Sequence, residues 1–357
     1  MTKSDTLAMP AIDTLSFHPN FTRALEFFQT QELYTVSPMH EIAGPDGLTV
    51  YAKDETQRMG LGAFKALGAP YAVAQILAHG WLEKTGETLT PERMTDADVR
   101  EFAATHTFVC ASAGNHGMGV AAGARAMGAK ARIYLAETVP AGFAGRLEAL
   151  GAEVVRSGEV YEDSVAEAIA DAERTGDTLL ADGTWEGYTE IPKWVMEGYC
   201  VIAEELRVAF EASGRWPTHV YLQAGVGGLA AAMAHMIRLN WAEQPELIIA
   251  EPEAAACLKA SHLAGEPTRG AGPESNMGRL DCKDPSIVAW SVLERCDVSY
   301  ETLTEEEGQA AADALAAIGV ATTPSGAAGY GALCKRPVEQ PNGKEIRPLV
   351  IISEGPA

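Results

Sequence analysis

Hydrophobic residues in the middle of the chain fall into short continuous runs that alternate with stretches of helical periodicity. The short apolar runs predict buried strands, and apolar residues recurring every three or four positions predict amphipathic helices. The predicted strands here are 107–111, 131–135, 152–155 and 178–181, and the predicted helices are 117–127, 143–150 and 161–174. Strands alternating with helices of this length indicate a parallel sheet.

The alternation resumes in the second half of the chain. It predicts helices 194–210, 230–239, 287–293 and 305–318, and strands 219–222, 247–250 and 348–352. No internal repeat of fixed period is present. The fold class is therefore α/β.

Four other stretches have a different pattern. Residues 1–60 alternate short apolar runs with Pro and Gly, which predicts an irregular N-terminal arm. Residues 64–77 have helical spacing, and Pro70 is expected to kink or divide that helix. The polar segment 83–101 predicts a connector or an excursion between lobes, and the Gly- and Pro-rich segment 262–286 predicts a loop.

Charge and composition restrict the function. With 357 residues the chain can hold two lobes, and its formal net charge of −22 argues against nucleic acid or an anionic membrane as a partner. No apolar run approaches the length of a membrane span, and the N-terminus lacks the layout of a secretion signal. We therefore expect a cytoplasmic protein.

Six cysteines are scattered along the chain without a C-x-x-C pair. No Cys/His spacing is typical of a metal site, so we expect no bound metal. Reduced, buried thiols are the simplest interpretation in a cytosolic protein. Cys257 and Cys282 flank one Gly- and Pro-rich loop and are the pair most worth comparing in space.

A glycine-rich turn joins a predicted strand to a predicted helix at Gly225, Val226, Gly227 and Gly228. Glycines at this place let backbone N–H groups converge on an anion such as a phosphate, and the helix dipole favours its charge. A tight turn without a ligand is the alternative. A dinucleotide site is disfavoured, because the first strand–helix turn carries no G-x-G-x-x-G.

Residues 112–116 are a further candidate for site chemistry. Ser112, Ala113, Gly114, Asn115 and His116 form a second strand-to-helix turn, which suits a carboxylate at a helix N-terminus, although a plain Asn/Gly turn with a surface histidine is the default.

Lys65 lies among small and apolar residues, with Phe64 before it. Most lysines near a helix start are simply exposed, but a desolvated lysine has a depressed pKa, which suits Schiff-base chemistry. Asp182 follows a strand and is a candidate general base or an Asx-turn residue. Ser353, at the end of the last strand, either binds a ring nitrogen or merely ends the strand.

Taken together, these motifs resemble the fold-type II pyridoxal-phosphate (PLP) enzymes, the group of the threonine and serine dehydratases, and within it the diaminopropionate ammonia-lyases. The resemblance runs from Arg58 to Ser353, and its most specific segments are 58–65 and 184–192. The Trp-Glu-Gly-Tyr stretch at 185–188 is a signature of the lyase branch.

The resemblance implies a tryptophan synthase β-like fold with two lobes, each with a mostly parallel sheet flanked by helices. It implies a large PLP-binding domain made of residues 1–90 and 180–357, a small mobile domain of residues 91–179, and a homodimer. The implied cofactor-binding residues are Lys65, Phe64, Asn115, Gly225, Val226, Gly227, Gly228, Leu229 and Ser353, with Asn115 at the cofactor's 3′-oxygen and Ser353 at its ring nitrogen. The implied substrate-binding residues are Ser112, Ala113, Asn115, His116 and Tyr188.

The chain departs from the lyase branch at Ala113. Lyases that act on both stereoisomers carry an aspartate there, whereas their second aspartate is matched by Asp182. The L isomer is therefore the expected substrate. Cys257 and Cys282 fall where that branch can carry a cysteine pair, so a disulfide is one option.

The expected activity is that of a carbon–nitrogen lyase in amino-acid degradation. Lys65 removes the α-proton, Asp182 engages the β-substituent, and 2,3-diaminopropionate gives pyruvate and ammonia. The alternatives are a dehydratase-like lyase acting on serine, threonine or hydroxyaspartate, or a β-replacement enzyme of the same fold. A non-catalytic small-molecule binding protein is the alternative from another class.

Overall fold

The computed structural model describes residues 15–335 and 345–356. Its strands are β1 (Met39–Ala43), β2 (Thr49–Asp54), β3 (Thr107–Ala111), β4 (Lys130–Leu135), β5 (Glu153–Arg156), β6 (Thr178–Leu179), β7 (His219–Gln223), β8 (Glu246–Pro252), β9 (Val298–Leu303) and β10 (Pro348–Ile352). Its helices are α1 (Phe21–Gln29), α2 (Gly68–Thr85), α3 (Ala97–Ala103), α4 (Asn115–Met127), α5 (Ala141–Ala149), α6 (Tyr161–Thr175), α7 (Glu190–Ser213), α8 (Gly228–Asn240), α9 (Cys257–Ala264), α10 (Ile287–Leu293), α11 (Glu305–Ala317) and α12 (Pro324–Lys335).

Two sheets organise the chain. The first has six strands in the order β1-β2-β10-β7-β8-β9, and only its β1–β2 pair is antiparallel. The second has the order β5-β4-β3-β6 and is parallel throughout. The prediction of an α/β fold with two mostly parallel sheets is confirmed.

Both faces of the six-stranded sheet are covered, which is why its strands read as continuous apolar runs. In β10, Leu349 and Ile351 belong to the core that also contains residues of α2, α7 and α8. The residues between and after them, Val350 and Ile352, pack into a second core with α11 and α12. Successive strand residues point to opposite faces, so one strand serves both cores.

The smaller sheet shares the first of these cores. Phe108 and Ile133 belong to the same buried cluster as the helices beneath the larger sheet, whereas Val109 faces the other way, against α6. Every strand of the smaller sheet lies within residues 107–179. The domain boundaries at 1–90, 91–179 and 180–357, and the mobility of the small domain, stay predictions.

The irregular N-terminal arm is a wrong prediction. Within residues 15–60 the structure has α1, β1 and β2, and β2 pairs in parallel with β10. Asn20 caps α1, since its side chain accepts a hydrogen bond from the Arg23 N–H at 3.1 Å. The segment 83–101 is likewise not a plain connector, because α2 continues to Thr85 and α3 begins at Ala97.

Pro70 neither kinks nor divides the helix. The helix α2 begins at Gly68, so Pro70 lies in its first turn, where no intrahelical N–H bond is lost. Lys65 belongs to a separate 3₁₀ turn, Phe64–Ala66, just before it. Helix α7 packs closely here: a Cβ on Gly198 would lie 2.1 Å from the Leu67 carbonyl oxygen.

Besides α1, β1, β2 and α3, the sequence patterns missed three further elements: β9, α9 and α12. The described residues contain no helix long and apolar enough to cross a membrane.

Candidate active site

The segment around Lys65 is tied to the end of β10. The Phe64 N–H donates to the Ser353 carbonyl at 3.0 Å, and the Gly355 N–H donates to the Gly62 carbonyl at 2.9 Å. An isolated bridge joins Ala63 and Glu354 between these two bonds. The 3₁₀ turn that carries Lys65 is therefore positioned by backbone hydrogen bonds on a strand end.

The beginning of the same segment is held by a buried charge cluster. The Arg58 side chain bonds the Glu55 carboxylate at 2.6 Å and the Glu205 carboxylate at 2.8 Å, and Lys53 contacts Glu205 at 2.5 Å. All four side chains are almost fully buried. Two cations and two anions balance, which is the condition for burying such groups.

Lys65 and Asp182 form an ion pair across the site. Burial opposes the charged form of Lys65, but the carboxylate of Asp182 outweighs it, so the pKa of Lys65 is raised. Burial likewise opposes the charged form of Asp182, and Lys65 overrides this, so the pKa of Asp182 is well below its usual range. The expected depression of the Lys65 pKa is wrong, because no local sequence pattern indicates that Asp182 lies against this lysine.

Asp182 is placed by the signature loop that follows it. The Tyr188 hydroxyl donates to the Leu179 carbonyl at 2.9 Å and accepts from the Ala181 N–H at 3.0 Å. Tyr188 therefore fixes the strand end just before Asp182, and its ring stacks on Trp185 with centroids 4.4 Å apart. Its predicted contact with substrate stays a prediction.

His116 is not a surface residue: its side chain is only 4% exposed. Its Nε2 lies 2.9 Å from the Leu180 carbonyl, which can only accept, so this nitrogen carries the proton. Its Nδ1 lies 3.9 Å from the Asp182 carboxylate and has no hydrogen-bond partner among the described residues. Burial lowers the pKa of His116 and favours the neutral ring.

The turn before α4 is compact. The Ser112 hydroxyl accepts from the Gly114 N–H at 3.3 Å. A Cβ on Gly117 would lie 2.1 Å from the Ser112 carbonyl oxygen, so only glycine lets the helix start fold back on this turn. Ala113, between these residues, offers no side-chain acid. The structure thus brings the predicted carboxylate-binding turn beside Asp182 through His116.

Asn115 contacts a residue that the sequence did not single out. Its Nδ2 donates to the carboxylate of Glu354, which also accepts from the Thr323 hydroxyl. Ser353, just before Glu354, has a second unforeseen partner, because the Gln223 side-chain nitrogen donates to its hydroxyl at 2.9 Å. Both partners lie next to predicted site residues, but nothing in their local sequence pattern marks them.

The glycine turn lies where β7 ends and α8 begins. Gly227 has φ +102° and precedes the first residue of α8, a backbone conformation that favours glycine. A Cβ on Gly227 would lie 3.0 Å from the Leu258 side chain, and one on Gly225 would lie 3.2 Å from the Cys282 sulfur. The N–H groups of Gly228 and Leu229 begin the helix and have no intrahelical partner.

Cys257 and Cys282 lie on either side of this cradle as free thiols. The Cys257 thiol lies 3.6 Å from the Gly225 carbonyl oxygen. Burial raises the pKa of Cys282 to about 11, so this thiol is protonated at neutral pH. The structure brings the two cysteines to the same cradle and contains no disulfide between them.

Tyr199 was also missed. It is buried on α7, and its ring meets the Phe64 ring edge to face with centroids 4.9 Å apart. Its hydroxyl has no hydrogen-bond partner among the described residues. Burial, with the nearby Asp182 charge, holds the pKa of Tyr199 well above its usual range.

Residues 30–354 match the family described as pyridoxal-phosphate dependent enzyme. The chain belongs to this family. The cofactor of this enzyme is pyridoxal 5′-phosphate.

The curated relatives point to one branch of PLP-dependent enzymes. The diaminopropionate ammonia-lyase of Escherichia coli K12 is 35% identical over 257 residues, which cover 70% of this chain and 62% of that protein. The diaminopropionate ammonia-lyase of Salmonella typhimurium LT2 is 35% identical over 278 residues, 75% of this chain and 69% of that protein. The chain thus spans less than two thirds of the length of the E. coli relative.

Solved structures agree with this. The holo diaminopropionate ammonia lyase from Escherichia coli superposes with a TM-score of 0.82 at 30% identity, over 95% of this chain and 91% of that chain. Threonine deaminase isoform 2 from Solanum lycopersicum, at 19% identity and a TM-score of 0.74 over 98% of this chain and 96% of that chain, shares the fold. The fold of this PLP-dependent enzyme is fold type II.

The residues present fit PLP. A primary amine, a glycine cradle at a helix N-terminus and a strand-end hydroxyl are the groups that an aldehyde, a phosphate and a pyridine nitrogen require. Three buried polar atoms around them have no partner among the described residues: Tyr199 Oη, His116 Nδ1 and Gln223 Oε1. Buried polar atoms are rarely left unpaired, which is consistent with a site that pairs them when a ligand binds.

Proposed function

We propose that this PLP-dependent enzyme is a carbon–nitrogen lyase that carries out β-elimination on a small β-substituted amino acid. The proposed substrate is L-2,3-diaminopropionate, which with one water gives pyruvate and two ammonia. The ion pair of Lys65 and Asp182 is the observation that carries this proposal, because it brings a candidate base and a carboxylate into contact at one partly exposed place. The named relatives support the same reaction class.

Lys65 is proposed to remove the α-proton. Its amine must be neutral for this, and the proton that it now shares with Asp182 has to move when substrate enters. Bound PLP supplies the electron sink for the negative charge that develops at Cα. The proton that Lys65 takes up stays on its amine, because a β-ammonium group leaves as neutral ammonia without taking up another proton.

Asp182 is proposed to hold the β-ammonium group of the substrate. In the structure its carboxylate already faces an ammonium, that of Lys65, and Lys65 keeps it ionised. A second ammonium at the substrate's β-carbon offers the same charge-assisted hydrogen bond. This contact keeps the leaving amine protonated, which is the form that departs as neutral ammonia.

The turn before α4 is proposed to bind the substrate carboxylate. The helix begins at Asn115, so the turn presents N–H groups that have no intrahelical partner. Ser112 adds a hydroxyl at the same turn. A carboxylate fixed here and an ammonium fixed at Asp182 orient the α-hydrogen toward Lys65.

The L isomer is proposed because the chain lacks one of the two aspartates that the resemblance associates with turnover of both isomers. Ala113 stands where an aspartate would serve the other isomer, and it has no proton to give or take. Lys65 and Asp182 are the acid and base groups left for Cα and the β-group. The homodimer and the cytoplasmic location belong to the same proposal, and light scattering of the purified protein tests the first.

A second candidate is a dehydratase-like lyase. Ser-Ala-Gly-Asn-His at the α4 turn resembles the dehydratase version of this loop. A threonine dehydratase from Corynebacterium glutamicum matches at 28% identity over 56% of this chain and 43% of its own length. Such an enzyme eliminates water from serine, threonine or hydroxyaspartate. A β-replacement enzyme would instead keep the α-amino group in its product.

A substrate panel separates these activities. The purified holoenzyme is given L- and D-2,3-diaminopropionate, L-serine, D-serine, L-threonine and 3-hydroxyaspartate, and 2-oxo acid and ammonia are both quantified. We expect L-diaminopropionate to be turned over fastest, with two ammonia per pyruvate, whereas serine would give one. Faster turnover of a hydroxy amino acid, or of the D isomer, would overturn the proposal.

Lys65→Ala is the control for this panel. It removes both the base and the covalent attachment of PLP, so we expect turnover to fall by at least about 10²- to 10⁴-fold, the usual range for a lost proton-transfer group. Borohydride reduction and mass spectrometry locate the PLP label on Lys65 in the unmodified chain. A labelled, fully active Lys65→Ala variant would contradict the assignment.

A further inference from the structure

The carboxylate of Glu354 is a buried acid in the site that the proposed reaction does not use. Glu354 follows β10 and is 4% exposed. One of its carboxylate oxygens accepts from Asn115 Nδ2 and the other from the Thr323 hydroxyl. Arg279 supplies a compensating charge, with its Nε 3.6 Å from the first of these oxygens.

The backbone of Glu354 is fixed as firmly as its side chain. Its carbonyl accepts from the Thr322 hydroxyl at 2.5 Å, and the residue bridges to Ala63, two positions before Lys65. A Cβ on Gly326 would lie 3.0 Å from the Glu354 carbonyl oxygen and 3.2 Å from its Cγ. The backbone of Gly326 therefore closes one side of the Glu354 side chain.

The chemistry of the pair determines the orientation of the Asn115 amide. A carboxamide has a donating nitrogen and an accepting oxygen that occupy nearly the same space, and its partners decide which way it points. An ionised carboxylate only accepts, so the Asn115 nitrogen must face Glu354. That nitrogen carries a second hydrogen, which is free to donate elsewhere.

We propose that Glu354 is a positioning residue that makes Asn115 present its amide nitrogen, and not its oxygen, to the 3′-oxygen of bound PLP. The inference rests on the cofactor contact that the family resemblance implies for Asn115 and is independent of which substrate is turned over. A donor at the 3′-oxygen stabilises its deprotonated form. An amide turned the other way would present an acceptor and require the protonated form.

This orientation has a spectroscopic consequence. The protonation state of the 3′-oxygen decides how much of the lysine-bound cofactor absorbs in the visible and how much in the near ultraviolet. With Glu354 in place the visible form is favoured. Without it the amide can turn, the near-ultraviolet form grows, and PLP binds less tightly because a directed hydrogen bond is lost.

A double-mutant cycle on the holoenzyme without substrate tests the proposal. Glu354→Ala and Glu354→Gln are each made alone and together with Asn115→Ala, and both the visible-to-ultraviolet absorbance ratio across pH and the PLP dissociation constant are measured. We expect Glu354→Ala to weaken PLP binding by about tenfold, the effect of one lost hydrogen bond, and to lower the visible fraction. In the Asn115→Ala background the same change is expected to have no effect on either quantity.

Glu354→Gln keeps an acceptor and nearly the same shape, so it serves where the alanine variant does not fold. It is expected to give a smaller spectral shift when Asn115 is present and none when Asn115 is absent. Glu306→Ala, an exposed acid on α11, is the control and should leave spectrum and affinity unchanged. Equal effects of the Glu354 variants with and without Asn115 would overturn the proposal, because Glu354 would then act without Asn115.

Discussion

Lys65 and Asp182 are 117 positions apart in the chain, yet their side chains form an ion pair at the centre of the site. Both remain about one quarter exposed, with 23% and 24% of their side-chain surface accessible. The pair lies between the ends of β6 and β10 and therefore at the carboxyl edges of both sheets, where open α/β folds bind ligands. Each partner keeps the other charged, and this mutual dependence can be tested.

Asp182→Asn is predicted to lower kcat/KM for L-diaminopropionate by about 10²- to 10⁴-fold, because the amide cannot hold the β-ammonium as a carboxylate does. Steady-state kinetics with PLP saturating measures this loss. Asp313→Asn, an exposed acid on α11, is the matched control and should be near wild type. Unchanged turnover in Asp182→Asn would refute the role of Asp182.

The same variant is predicted to change how apoenzyme recombines with PLP. The reaction needs the neutral amine of Lys65, and Asp182 holds its pKa above the ordinary value of 10.5. Removing the carboxylate leaves burial as the main influence, which lowers the pKa of Lys65 and makes the neutral amine available at lower pH. The rate at which the visible absorbance band appears is measured from about pH 6 to 10. The pH profile of this rate should shift to lower pH in Asp182→Asn. Superimposable profiles would show that the ion pair does not control Lys65.

Gly227→Ala is predicted to weaken PLP binding by at least about tenfold and to cost about 1–3 kcal/mol of stability in the apoenzyme. The φ of +102° at Gly227 is unfavourable for alanine, and the added Cβ would lie too close to the side chains of Leu258 and Ala289. Equilibrium dialysis and urea unfolding measure the two effects.

Gly214→Ala is the matched control for the cradle variant. Gly214 ends α7 with φ +66° and has open space around it, so alanine there carries the backbone cost without touching the cradle. PLP affinity should be unchanged in this control. If both variants bind PLP equally well, the cradle does not hold the phosphate.

Glu251 is predicted to make stability depend on pH. Burial raises the pKa of Glu251 to about 7. Its carboxylate accepts hydrogen bonds from the N–H groups of Leu258 and Lys259 at 2.8 Å, and these bonds favour the charged form. In the unfolded chain the ordinary value is 4.5. Between these values the folded state holds a proton that the unfolded state has lost, so the free energy of unfolding falls as pH rises and levels off above about pH 7.

Glu251→Gln removes this titration. Urea unfolding of the apoenzyme is measured at low and at neutral pH. Over that range the free energy of unfolding of the unmodified chain should fall by about 3 kcal/mol more than that of the variant. The variant keeps an acceptor for one of the two α9 N–H groups and does not titrate, so the test compares how the two proteins depend on pH and not their absolute stabilities. Parallel pH dependence of the two proteins would contradict the prediction.

Several elements were predicted to the residue from local pattern. The strands β3 and β10 and the helix α10 have the bounds that the apolar runs and helical spacing indicated. Their residues are buried on both faces or on one face, so the positions of the apolar residues in the sequence predict these elements directly. Lys65 and the glycine turn at 225–228 were predicted as site residues for a similar reason, since each lies within a distinctive local segment, and their roles stay predictions.

The elements that were missed lack such a signal. In β2, Lys53 interrupts the apolar run and is buried only because Glu205, 152 positions away, neutralises it. The helix α12 contains several glycines, which disfavour a helix, and is stabilised by packing against β7, β8 and β10. In both cases the tertiary contact overrides the local preference.

The sequence by itself determined the α/β class, the order of most strands and helices and the PLP family, and it marked Lys65 and the glycine turn as candidate site residues. Only the tertiary structure decided the electrostatics of the site. Asp182 raises the pKa of Lys65 from 117 positions away, and Glu354 holds Asn115 from 239 positions away. The physical reason is that Coulomb attraction and hydrogen bonds depend on distance in space, which the folded chain sets and its linear order does not.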